Sequence, residues 1–204
     1  YFTGKITDSQ TGQPLSGASV YDVEARQASI SDQSGNYHLT LQEGESMRGF
    51  YFSKKGYLDT TLVVLATVSL QNDIALTPLA TGVDKLPAND VRLIETPIEE
   101  RPISKQIIPE ETYIHAENLH AIHETRIAQI SFLPAIGIGS DLSTNGLMVN
   151  NFSLNVLAGY SSGVYGCEIG GILNLTKNEV VGVQLGGIGN LVGGKIHGVQ
   201  IGGI

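Results

Sequence analysis

The chain is 204 residues long, with 12 basic and 20 acidic side chains, a formal net charge of −8, 25 glycines, one cysteine and no tryptophan. This length allows one or two domains, and a single cysteine excludes a disulfide framework. The acidic balance excludes the basic surface that phosphate-backbone binding needs, so nucleic acid is not an expected partner.

Charge and glycine are distributed unevenly. After Arg126 only Asp141, Glu168, Lys177, Glu179 and Lys195 are charged, whereas 17 of the 25 glycines fall there. No stretch reaches the roughly 18 uninterrupted apolar residues of a spanning helix. Tyr1 opens directly into strand-like sequence without a signal-peptide pattern, so any leader is expected to have been removed already. The repeat described below breaks off at Ile204, which marks the chain as an expected fragment.

From Tyr1 to Pro78, turn signals recur at short intervals: Asp8 to Pro14, Ser16-Gly17, Asp32 to Asn36, Glu43-Gly44 and Lys54 to Gly56. The pieces between them, Phe2 to Thr7, Ala18 to Val23, Tyr37 to Leu41, Gly49 to Ser53 and Thr60 to Val64, alternate or run apolar. This spacing predicts an all-β domain of about seven strands, a small β-sandwich over residues 1–78. Pro14 fixes φ ahead of a strand, Gly17 supplies a positive φ in the next turn, and Asp32 and Asn36 bond back to their own turn backbone.

The segments Gly4-Lys5-Ile6-Thr7-Asp8, Thr11-Gly12-Gln13-Pro14-Leu15-Ser16-Gly17-Ala18-Ser19-Val20 and Ser31-Asp32-Gln33-Ser34-Gly35-Asn36-Tyr37 resemble the carboxypeptidase regulatory-like domain. Phe50-Tyr51-Phe52-Ser53 with Lys55-Gly56-Tyr57 matches that family's strand and turn. The resemblance implies a sandwich without catalytic zinc. In Bacteroidota such sandwiches commonly precede outer-membrane proteins, which implies a periplasmic location for this one.

Residues 79–128 read as a linker with a short helix. Pro87, Pro97, Pro102 and Pro109 prevent a long helix or central strand, while Asp90 to Ile94 and Ile103 to Ile108 suit short edge strands able to pair with a neighbour. Glu110 to Gln129 is the helix candidate, with Ile114, Leu119, Ile122, Ile127 and Ile130 roughly on one face. On such a helix Glu117, His120, His123 and Glu124 come together at the spacing of a two-histidine metal site. The order His-Ala-Ile-His-Glu is not H-E-x-x-H, and the preferred reading is a solvated helix face. No metal or other cofactor is assigned.

The last 78 residues repeat with a period of sixteen. Cys167-Glu168-Ile169-Gly170-Gly171-Ile172 recurs as Val183-Gln184-Leu185-Gly186-Gly187-Ile188 and as Val199-Gln200-Ile201-Gly202-Gly203-Ile204, each preceded by glycine. Alternation puts Val183 and Leu185 on one face and Glu168, Gln184 and Gln200 on the other. Gln129 to Gly137 and Asn150 to Tyr160 read as strands preceding the repeats. Two architectures fit: an antiparallel transmembrane β-barrel over 129–204, each repeat one strand and a turn, or a β-solenoid with one coil per repeat. The few charges and the lipid-like row favour the barrel, with a narrow filled lumen. On a barrel Gln184→Leu is expected to be tolerated better than Leu185→Lys.

Ser131-Phe132-Leu133-Pro134, Ser143-Thr144-Asn145-Gly146, Asn151-Phe152-Ser153-Leu154-Asn155, Ala158-Gly159-Tyr160-Ser161 and the glycine-rich copies resemble a Bacteroidota surface-repeat family, in which a regulatory-like sandwich can precede the repeats. No catalytic constellation is present: Cys167 replaces valine in the repeat, and Ser161-Ser162 is a turn. The expected protein is a non-enzymatic outer-membrane protein with its sandwich in the periplasm, acting as an accessory subunit of an envelope complex. Its expected partners are other outer-membrane or periplasmic proteins and membrane lipid. A small transporter or channel and a surface β-solenoid adhesin are the alternatives.

Overall fold

Short strands bounded by polar turns build the amino-terminal unit of the computed structural model, which describes residues 1–41, 46–66, 69–79, 97–134, 136–139, 141 and 143–203. They are β1 (Phe2–Asp8), β2 (Ser19–Asp22), β3 (Gln27–Ile30), β4 (Asn36–Leu39), β5 (Ser46–Ser53), β6 (Thr60–Ala66), β7 (Leu70–Gln71) and β8 (Ile74–Leu76). One sheet pairs β4 with β1, whose other side is lined by β7 and then β8; the second has the order β3-β2-β5-β6. Against an expectation of about seven strands, the described residues of this unit form eight. Gln27–Ile30 was invisible to pattern because Gln-Ala-Ser-Ile carries little apolar alternation, yet it pairs with β2 through all four residues.

Phe2, Ile6, Val20, Tyr37, Phe50 and Phe52 meet between the sheets, and Phe2 stacks on Phe50 with ring centroids 4.0 Å apart. Each such side chain contributes about 1.5–3 kcal/mol by leaving water. Asp8, Asp22 and Asp32 close the turns. Asp8 Oδ1 accepts from the Gln10 and Thr11 amides, Asp22 Oδ1 from Glu24 and Ala25, and Asp32 Oδ1 from Ser34 and Asn36. The amides of Thr11 and Asn36 are the main reason that the Asp8 and Asp32 carboxyls lie below their usual range. Gly17 takes a φ of +71°, as its turn requires.

Residues 97–116 and 120–203 belong to the second unit, while 117–119 are counted with the sandwich. A single helical turn, Ile98–Glu100, leads into α1 (Pro102–Ile107), with Pro102 at the first helical position, where its missing N–H costs nothing. Ile103 to Ile108 is thus not an edge strand, and Asp90 to Ile94 lies outside the described residues. The helix expected over 110–129 is α2 (Glu110–Asn118), eleven residues shorter. From Glu124 the chain alternates instead, with Gln129 and Ser131 buried between exposed Ile130 and Phe132, and forms β9 (Glu124–Leu133).

The rest is a β-solenoid, which overturns the barrel. Its strands are β10 (Ile136–Ile138), β11 (Met148–Asn155), β12 (Ala158–Ser161), β13 (Gly163–Gly170), β14 (Leu173–Thr176), β15 (Val180–Gly186), β16 (Gly189–Val192) and β17 (Ile196–Gly202). The long strands β9, β11, β13, β15 and β17 pair side by side in parallel, with β10 antiparallel at the β9 edge; the short strands β12, β14 and β16 form a second parallel sheet. Each repeat is two strands and two corners, not one membrane-crossing strand. Asn150 to Tyr160 likewise bends between β11 and β12. Parallel stacking brings Gly166, Gly182 and Gly198 directly beside one another. At Gly182, where φ is +133°, an added Cβ would stand 2.0 Å from the Gly166 carbonyl oxygen.

Candidate functional site

The interior of the coils is polar. Glu168, Gln184 and Gln200 line up on successive long strands, as the alternation predicted, and Asn174 and Asn190 on successive short ones. Gln200 Nε2 donates to Gln184 Oε1 at 2.8 Å, and Asn174 Nδ2 donates to Asn190 Oδ1 at 2.7 Å. Glu168 is 1% exposed. Its carboxylate accepts from Gln184 Nε2 at 2.6 Å, Asn155 Nδ2 at 2.9 Å and Thr176 Oγ1 at 3.3 Å. Desolvation raises its pKa above the ordinary value, and these three donors oppose the rise. The same lattice continues toward β9, where Asn150 Nδ2 donates to Gln129 Oε1 and to Ser153 Oγ. Such a core specifies coil register: every side chain that shifts by one residue loses its partner.

The two outer faces differ. Over the short strands, Ile98 and Ile108 pack on Ala158, Tyr160, Leu173 and Leu175, and buried Tyr160 donates its hydroxyl to Glu99 Oε1 at 2.8 Å. Over the long strands the register produces two parallel rows. One runs Ala128, Phe152, Cys167, Val183, Val199, and the other Ile130, Leu154, Ile169, Leu185, Ile201. Neither row contains a charged or polar residue. Phe152 is 40% exposed, Ile130 43% and Ile201 56%. Phe132, Val156, Ile172 and Ile188 extend the surface on one side and are also exposed. At about 4.8 Å between strands and about 6.8 Å between same-face residues, five strands and three rows cover on the order of 500 Å².

Glu117, His120, His123 and Glu124 do not come together on one helix face. The early end of α2 leaves Glu117 beside Lys55 Nζ, with which it forms an ion pair in the sandwich unit. His120 and His123 lie beyond the helix, and Glu124 opens β9. Among the described residues no group of three or more His, Cys, Asp or Glu side chains is placed to hold a metal. His120 and His123 instead line a cleft with Lys177 and Lys195, a grouping that no spacing in the sequence announces. Cys167 is half-buried in the row between Phe152 and Val183, the packing role that its place in the repeat indicated.

With the two-sheet core of residues 2–76 established, a family can be assigned to that part of the chain. Residues 2–83 match the CarboxypepD_reg-like domain. The match bears out the resemblance read from the first 78 residues and ends before the coils. A comparison with curated proteins gives no match. Among solved structures, the chain is similar to one from a type II cohesin–X-dockerin complex of Acetivibrio cellulolyticus, a C-terminal interface mutant. That similarity has 18% identity and a TM-score of 0.31, over 36% of this chain and 51% of the other. The alignment thus spans about half the length of that chain.

Proposed function

We propose that this protein is a non-enzymatic subunit of a bacterial cell-envelope assembly, in which the coil unit docks through its long-strand face onto an uncharged apolar surface of a second envelope protein. The uncharged double row on that face carries the reading. A patch on the order of 500 Å² is at the upper end of what monomers expose and often marks an interaction site, although a standard interface takes about 800 Å² from each partner. The predicted contact is therefore at the weaker end of specific interfaces. A protein is favoured over lipid as the occupant because a net charge of −8 is repelled by anionic headgroups. Placement at the outer membrane, with the sandwich in the periplasm, rests on the company that regulatory-like sandwiches keep.

A photo-reactive amino acid at Val183 or Ile201, introduced in the native cell, tests this reading. A discrete protein adduct at these positions, absent when the same group replaces exposed Glu24 and abolished by Leu185→Lys, is the expected result. No adduct, or recovery of the purified chain on floated phospholipid vesicles, would remove the protein-docking reading. A surface adhesin is the second reading. The parallel coils favour it, because stacked coils present extended lateral surfaces.

A further inference from the structure

The two sheets of the sandwich end in edges of unequal length. β3 and β4 are four residues long, β8 three and β7 two, so these edges offer little backbone to another chain. β6, the outer strand of the β3-β2-β5-β6 sheet, is different. Its seven residues, Thr-Thr-Leu-Val-Val-Leu-Ala, include no charge and no proline and pair with β5 without a register shift. Among the described residues no strand lies on its other side. An edge left long and uncharged in this way is a template for a further strand.

The hydrogen bonds of β5 fix which groups β6 leaves open. The Gly49 amide donates to Glu24 Oε2 at 2.9 Å and the Gly49 carbonyl accepts from the Val23 amide at 3.0 Å, so both groups aim away from β6. Gly49 stands opposite Val63, and in an antiparallel ladder such a pair turns its backbone groups to opposite sides. Val63 therefore aims its N–H and C=O off the edge, and alternation does the same for Thr61 and Leu65. The side chains of these three residues are exposed on the outer face, with exposed Met47 and Val23 beside them, while Leu62 and Val64 pack toward the core.

We propose that β6 pairs with β6 of a second copy, antiparallel about a two-fold axis at Val63, so that the two four-stranded sheets join into one. The outward triplet is centred on Val63. That axis sets Thr61 opposite Leu65 of the second copy and Val63 opposite its own counterpart, and each outward N–H meets an outward C=O in about six hydrogen bonds. No like charges face each other across the axis, because β6 carries none. A strip about 24 Å long and about 10 Å wide covers on the order of 250 Å², against about 800 Å² per partner in a standard interface. The dimer is therefore weak and forms at high protein concentration. It is independent of the apolar face of the coils.

Sedimentation velocity of the full chain, from about 5 to about 500 µM, tests the pairing. The expected result is a monomer–dimer equilibrium that moves toward dimer as salt is raised, since two chains of net charge −8 repel each other. Hydrogen exchange resolved to single amides over the same range should show Thr61, Val63 and Leu65 gaining protection, while Leu62 and Val64, which bond β5 in either state, stay unchanged. Val63→Lys and Val63→Glu each set like charges opposite one another at the axis and should weaken dimerisation at least about tenfold, with unchanged circular dichroism. An equimolar mixture of the two variants should restore it, a rescue that only pairing of position 63 with itself produces. Leu185→Lys should leave the dimer intact, which separates it from docking through the coils. A monomer throughout the range, a dimer indifferent to both Val63 substitutions, a mixture that fails to associate, or loss of the dimer in Leu185→Lys would overturn the proposal. Protection gained at Leu62 and Val64 instead of their neighbours would do the same without any substitution.

Discussion

Replacing Glu168 with leucine removes the acceptor shared by three interior donors, one each from Asn155, Gln184 and Thr176. Two of them keep a second contact, Asn155 Nδ2 to Asn174 Oδ1 at 2.8 Å and Gln184 Nε2 to Thr176 Oγ1 at 3.1 Å, but each loses the partner of one proton. A buried proton without a partner costs about 1–3 kcal/mol, so the three together cost about 3–9. Burying leucine and removing a desolvated carboxylate return about 2 kcal/mol. The net loss is centred on about 4 kcal/mol, within a range of about 1–7. Gln200→Leu, at the equivalent but exposed position with a single bond to Gln184, should cost under about 1 kcal/mol, because water replaces the contact.

Hydrogen exchange on the intact chain, followed in peptides covering 163–186, reads the two variants without assuming that both units unfold together. Glu168→Leu should reduce protection by about thirtyfold or more and Gln200→Leu by no more than about fivefold. Equal effects, or a gain in protection from Glu168→Leu, would refute a coil held together by its polar ladder. The raised pKa of Glu168 sets the sign of a second comparison. Between its ordinary value of 4.5 and the higher folded value, the folded state holds a proton that the unfolded state has released, so stability falls as pH rises through that window. Glu168→Gln should remove this dependence.

Three further outcomes are expected. Gly182→Ala sets a Cβ against the Gly166 carbonyl at a positive φ and should destabilise the coils by about 3 kcal/mol or more, whereas Gly56→Ala, with a φ of +86° but open space around it, should cost only about 1–2 in urea unfolding. Burial pushes the His115 imidazole down to about 4 against the opposing pull of Asp141, so stability present above pH 6.5 should be lost toward pH 4 at about 1.4 kcal/mol per unit, and a shallower acid limb in His115→Gln urea midpoints checks it. Deleting residues 180–195 joins Glu179 to Ile196 in register and should leave the protection of 148–176 unchanged, whereas deleting 180–187 alone should abolish it.

The sandwich was legible in its turns, because Asp8, Asp32 and Gly17 act within a few residues of themselves and need no distant partner. The helix was overread for the opposite reason. Ile114, Leu119, Ile122, Ile127 and Ile130 fit one helical face by spacing, but the alternation from Glu124 to Phe132 belongs to a strand whose partner, β11, is 24 residues away for each pair from Met148–Glu124 to Asn155–Ser131. The same distance effect hid the cleft: Lys177 and Lys195 are neighbours only because consecutive coils stack, and the histidines reach them only after α2 stops short.

Barrel and solenoid share the alternation of a single strand, so Val183 out and Gln184 in was correct under either architecture and discriminated nothing. The discriminating signal was the identity of the residues sixteen apart. In antiparallel neighbours the chain direction reverses, and equivalent positions of successive repeats do not pair along the whole strand. In parallel coils they do, and identity is then rewarded: Gln200 bonds Gln184, Asn190 accepts from Asn174, and glycine must face glycine where an added Cβ would strike the adjacent carbonyl. The second apolar run in each repeat, Leu173 to Thr176 and Gly189 to Val192, then falls into place as the short side of the coil rather than as the end of a long strand. The mutational order expected for a barrel reverses with it. Gln184 is buried and bonded to Glu168 and Thr176, and Leu185 points outward, so Gln184→Leu should damage folding and Leu185→Lys should spare it. Leu185→Lys then separates docking from stability, because it alters the uncharged face and leaves the ladder beneath it intact.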